Sequence, residues 1–179
     1  MIGRRTPRIS APAAPVDTTG TDLVLGWIDS VVAGLTHPPS GPPEAAPARA
    51  CDGLFTAATV AAVLIEKVRP WQELKTANHR CLVAAVEFMK ALGEETLRTH
   101  RIAGVTQVAW NDMTPEMDTA AICARMIQLG ETLQLALLAV TTDVSLPADV
   151  RDVADDYGLP AADTVIEAFD AVRTGSGST

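Results

Sequence analysis

Three histidines, three cysteines and one oddly placed glutamate are the residues of this chain whose types and spacing bear on chemistry. His37, His79 and His100 stand in no E-x-x-H or H-x-x-x-H arrangement, the spacing that sets two ligands on one helix face for zinc or a di-iron centre. Neither a metal site nor a cofactor is expected. Cys51, Cys81 and Cys123 are odd in number, widely spaced and without a C-x-x-C pair, a pattern of reduced cytoplasmic thiols and not of a disulfide framework. Cys81 falls on the apolar side of a helical pattern and reads as core filler. No G-x-S-x-G elbow, Cys/His signature or glycine-rich phosphate loop occurs, so no catalytic residue is assigned.

Glu131 is the residue to single out. It interrupts an apolar face otherwise made by Ala124, Ile127, Leu135 and Leu138. A carboxylate buried there must be paired, protonated or bound to a cation. Two readings stay open. In one, the face is partly covered and Glu131 reaches solvent, or answers an arginine such as Arg125 of a neighbouring helix or subunit. In the other, Glu131 faces a cavity as a ligand-binding or catalytic carboxylate. Ile127, Leu135 and Leu138 are candidates for an interaction face.

The elements that position these residues are helical. Apolar residues make up 47% of the 179 and aromatics only 4%, so packing must proceed through alanine, valine and leucine, which favours helices at close range over a sheet sandwich. Residues 1–20 read as a flexible basic tail carrying Arg4, Arg5 and Arg8, with prolines that argue against a leader peptide. A single helical domain follows over 21–173, then a flexible tail over 174–179. Within the domain the pattern predicts about six helices. The first runs from about Asp22 to Leu35, capped by Thr21. A Pro-rich linker over 36–50 should be extended. The second, capped by Asp52 and apolar all round, reaches about Arg69, and its longest uncharged stretch, Leu54 to Ile65, is shorter than the ~20 residues of a membrane span.

Pro70 opens the third helix and Gly93 ends it, with Trp71, Leu74, Cys81, Leu82, Ala85, Met89 and Leu92 on one side. A helical stretch from Glu94 to about Ile102 comes next, and residues 103–113 lose the period. Thr114-Pro115-Glu116 signals the start of a long helix ending near Thr142. In it Ile122, Met126, Leu129, Leu133, Ala136 and Val140 alternate by four and three, a bundle seam. With a second apolar face nearly opposite, this helix should lie between neighbours, as the centre of the bundle or as a face of an oligomer. Two short helices close the domain, one stopped by Gly158 and the other opened by Leu159-Pro160.

The stretch from Trp71 through Val150 resembles the all-α nucleoside-triphosphate pyrophosphohydrolases of the MazG type, on the run LGETLQLALLAVTTDVSLPADV and the carboxylate of VEFMK. The resemblance implies a helical fold and magnesium-dependent pyrophosphate release. Glu87 would then belong to an E-E-x-x-E helix and Glu131 to an E-x-x-D helix. In this sequence Lys90 stands at the third acid of the first motif and Gln128 at the glutamate of the second.

Charge limits the partners. The net charge is −8, and from 143 to 173 eight acids face only Arg151 and Arg173. Such a surface has no basic stripe for phosphates, which excludes nucleic acid as a partner of the folded part. The expectation is a cytoplasmic helical interaction or structural protein, a subunit or adaptor that self-associates or binds another protein. The pyrophosphohydrolase and a small-molecule-binding bundle are the alternatives.

Overall fold

A computed structural model describes residues 20–36, 41–67, 71–100 and 118–175. The expectations for residues 1–19, for the 103–113 stretch and for the Thr114-Pro115-Glu116 start lie outside these. The described chain is all α: α1 (Gly20–Thr36), α2 (Ala45–Lys67), α3 (Gln72–Leu92), α4 (Glu94–His100), α5 (Thr119–Thr142), α6 (Ala148–Val153) and α7 (Leu159–Thr174). A π turn, Ala154–Gly158, joins the last two without a break, so the described residues form six helical rods.

Four helices make a ring in the order α2, α3, α7, α5, each packed on the next and the last on the first. Neighbouring contacts reveal their directions. Asn78 Nδ2 donates to Ala58 O at 2.8 Å and Cys51 Sγ lies 3.5 Å from Ala85 O, so α2 and α3 run antiparallel. Gly130 meets Ile166 and Gly158 meets Leu137, which sets α5 and α7 antiparallel. Across the α3–α7 seam, Arg80 Nη1 donates to Thr164 Oγ1 at 2.8 Å. α1 lies over α5 and α2, while α4 leans on α2 and α3. The core is aliphatic and alanine-rich, with Phe88 and Phe169 as its largest fully buried side chains.

Several boundaries differ from the sequence reading, each for a physical reason. Thr21 is not a cap: it lies within α1, buried, and its hydroxyl accepts from Asp118 N–H at 3.0 Å, tying α1 to the start of α5. The expected extended linker ends early, because α2 starts at Ala45 and takes in Pro47. The first four amides of a helix need no intrahelical acceptor, so proline costs little there. Burial of Ala45, Ala48 and Ala50 favours the extra turns. Asp52 therefore sits inside α2, and Arg49 Nη1 reaches back to Gly34 O at 3.2 Å, covering a carbonyl at the end of α1. Asp118 caps α5, accepting from Ala121 N–H at 3.0 Å. Gly93 ends α3 as expected, at φ 79°.

Gly158 does not stop a helix. It is helical and buried, and a Cβ there would sit 2.8 Å from Leu137 Cδ2, so the residue is small because α5 passes close by. The π turn answers Pro160, which has no N–H for the helix and whose ring crowds the preceding turn. A wider turn just before it accommodates both. Gly130 has the same function as Gly158 from the α5 side, since a Cβ there would lie 2.6 Å from Ile166 Cγ1.

α2 over Ala45–Glu66 and α5 over Thr119–Thr142 are long and apolar enough, by length and composition, to cross a membrane. This corrects the shorter span read from the uncharged stretch alone, because an 18-residue average tolerates Asp52. The two differ in cover. That stretch of α2 is 67% buried, as in a core helix, whereas that of α5 is 39% buried, so among the described residues α5 keeps a bare side.

Two glycine substitutions should have opposite signs. Gly130→Ala forces a methyl into Ile166, and overpacking of about 1–3 kcal/mol outweighs the helix-propensity gain of about 1 kcal/mol. Gly26→Ala meets nothing within 4 Å in α1 and keeps that gain. Thermal melts followed by circular dichroism should read a lower Tm for the first and a Tm higher by a few degrees for the second.

Candidate functional site: the outward face of α5

The inward side of α5 is the predicted seam: Ile122, Met126, Leu129, Leu133 and Val140 are buried at 1% exposure or less. Ala136 is half-buried. The opposite side carries Ala124, Gln128, Glu131, Leu135, Leu138 and Thr142, all exposed and again spaced by four and three. Leu135 is 71% and Leu138 53% exposed. The expectation that α5 lies between neighbours therefore holds only on one side among the described residues. Ile127 stands at the edge of this strip, partly buried against the core.

Glu131 lies on the outward strip and is exposed. A buried carboxylate is not what the fold makes of it, because no described helix covers that side of α5. Arg125, named as an answering arginine, is engaged elsewhere: its Nε lies 3.2 Å from Asp29 Oδ1 of α1, and its Nη1 donates to Gln128 Oε1 at 3.0 Å. The carboxylates implied by the pyrophosphohydrolase resemblance do not converge. Glu87 on α3 is half-buried and bridges to Lys90 at 2.7 Å, while Glu131 faces outward from the opposite corner of the ring. Among the described residues no group of three His, Cys, Asp or Glu side chains is placed to hold a metal ion.

A second exposed strip runs along α3. Leu82 and Met89 share one side of α3 with Leu74 and Cys81 by sequence pattern, yet each is 40% exposed and Val86 lies between them at 42%. The buried face is centred instead on Leu74, Ala77, Cys81, Ala84, Ala85 and Phe88. Alanines beside Phe88 on this face let α2 and α7 come close, so small residues define much of the inward side and larger aliphatics lie off it. Lys75, His79, Leu82, Val86 and Met89 are all exposed, in steps of four, three, four and three. That spacing was the available signal.

Clefts flank α3, two of them larger than a third that lies between Gln72, Glu73 and Thr76 and α7. One of about 310 Å³ is lined by Cys51, Asp52, Phe55, Met89, Glu94, Leu97 and Arg98. The other, of about 410 Å³, lies between His79, Arg80 and Val83 of α3 and Asp156, Tyr157 and Pro160 at the π turn. The thiols are packed away: Cys51, Cys81 and Cys123 are free and buried. Burial pushes the Cys81 thiol up to about 12. Burial likewise raises that of Cys123, against the pull of Arg173, to about 11. Near the surface, the Ser145 hydroxyl and amide hold the Asp143 carboxyl below its usual range.

No family model, curated protein or solved structure compared with this chain matches it.

Because thiolates and not thiols react, Ellman's reagent at pH 8 should label no cysteine rapidly in the native protein and three after denaturation. The same shift has a stability consequence. The folded state holds the Cys81 proton more tightly than the unfolded chain, so its contribution is present below about pH 9 and lost as pH rises toward about 12. Denaturant titrations should find a shallower alkaline decline in Cys81→Ala than in the wild type.

Proposed function

We propose that this protein is a helical interaction protein that self-associates through the outward face of α5. The observation that carries the reading is the exposure of Leu135 and Leu138 on a strip with bundle-type spacing. A surface leucine alone needs no explanation, but several apolar side chains at the spacing of a helix-packing seam form a surface suited to another helix. The opposite side of the same helix is built on that spacing and is covered by its own chain. Free, buried cysteines support a reducing compartment such as the cytoplasm as its setting.

The test is molar mass by light scattering across a wide concentration range. The wild type is expected to gain mass with concentration, while Leu135→Asp and Leu138→Asp stay monomeric. Both positions are surface sites where substitution typically alters stability by about 0.5 kcal/mol or less, so melting temperature should hold. A wild type that stays monomeric throughout removes the reading.

A further inference from the structure

Resting on the self-association reading, we infer that the partner of the α5 strip is the α3 strip of a second copy, so that chains join head to tail. Charge decides between the possible pairings. The outward side of α5 presents Glu131, and the one cation of that helix, Arg125, is turned to Asp29. If two α5 strips met antiparallel with Leu135 against Leu138, Glu131 would lie beside Thr142 and Asp143 of the other copy. If they met in parallel, Glu131 would face Glu131. The parallel arrangement opposes like charges, which disfavours a wrong partner, and the antiparallel one leaves Glu131 without a cation.

The α3 strip supplies what α5 lacks. Leu82, Val86 and Met89 match Leu135 and Leu138 in spacing, and Lys75, His79 and Lys90 flank them, all exposed, Lys90 bridging Glu87 of its own helix through a side chain still 65% exposed. Set antiparallel with Leu135 on Val86, the pairing brings Glu131 to Lys90. Set in parallel with Leu135 on Leu82, it brings Glu131 to Asn78 and Gln128 to Lys75. A positively charged or polar partner meets Glu131 in either direction. Two α3 strips side by side in parallel would instead oppose Lys75 to Lys75 and Lys90 to Lys90.

Geometry makes the pairing repeatable. α3 and α5 stand at opposite corners of the four-helix ring, each packed on α2 and α7, so their outward strips point away from one another. One chain can therefore receive a neighbour at each side at once. An interface between two different patches forms rings if it closes and open chains if it does not, unlike a two-fold dimer. A single helix-on-helix contact is smaller than the roughly 1,200 Å² of a standard stable interface, which sets a weak, concentration-driven association.

Complementation tests this. With the full-length protein, light scattering up to about 1 mM should show mass growing past that of two chains. Leu135→Asp keeps its α3 strip and Val86→Asp keeps its α5 strip, so each alone is expected to be monomeric. Their mixture should form a one-to-one complex that grows no further. Should either variant lose its far-ultraviolet helical signal, Leu138→Glu and Met89→Glu take their places. Glu131→Lys, at an exposed site, should weaken assembly several-fold. Assembly of Val86→Asp like the wild type, with Leu135→Asp monomeric, would overturn head-to-tail pairing and leave self-association through α5 standing. A mixture that stays monomeric, or stronger assembly in Glu131→Lys, would also overturn it. A monomeric wild type would remove both readings.

Discussion

The structure depends on how closely α5 lets its neighbours approach. At Gly130 and Gly158 a single methyl would strike Ile166 or Leu137, so the α5–α7 contact is held at a separation that only glycine permits. Interiors packed at crystal-like density transmit such a constraint instead of absorbing it. With α7 drawn against α5, the α3–α7 seam can close on Thr164 and Arg80, and α2 fills the remaining side with alanines. The low aromatic content follows from the same spacing. Phe88 and Phe169 are the exceptions, each fully buried.

Fold class and most helix positions were legible in the sequence because they rest on period. The 122–140 seam and the cover over α2 are repeated signals over many residues, and Gly93 ends its helix through a backbone conformation that glycine adopts readily. Punctuation was less legible. Pro47 reads as a break and is a first-turn residue; Gly158 reads as a stop and is a contact. In each case the residue type is compatible with two roles, and the choice depends on which neighbour passes nearby, a fact of tertiary structure. Thr21 is similar: its hydroxyl suits a cap, yet it accepts from an amide 97 positions away.

The candidate surface was half legible. Leu135, Leu138 and Glu131 could be assigned to one face of α5, but their exposure depends on whether another helix lies over that face. On α3 the error ran the other way. Helical periodicity groups Leu82 and Met89 with Leu74 and Cys81, whereas packing selects for fit, and the small Ala77, Ala84 and Ala85 occupy the inward side with Phe88 among them. In an alanine-rich bundle the hydrophobic centre of a helix is thus not its buried centre. Large aliphatics displaced from the close contacts are left at the surface.

That displacement links the core to the outer strips. A helix that packs through small residues, as α3 does, can turn its bulkier aliphatics outward and still bury a complete seam, while α5, across the diagonal of the ring, buries a bulky seam and carries further leucines outward. Charge then separates the two strips: Glu131 interrupts one and Lys75, His79 and Lys90 border the other. A carboxylate in the middle of an apolar strip lowers the benefit of covering it with more hydrocarbon, since desolvating an unpaired charge is costly. The same group favours a surface that brings a cation to the right place. Glu131, on its own a surface acid of no special chemistry, acquires meaning as the element that makes one apolar strip unlike the other.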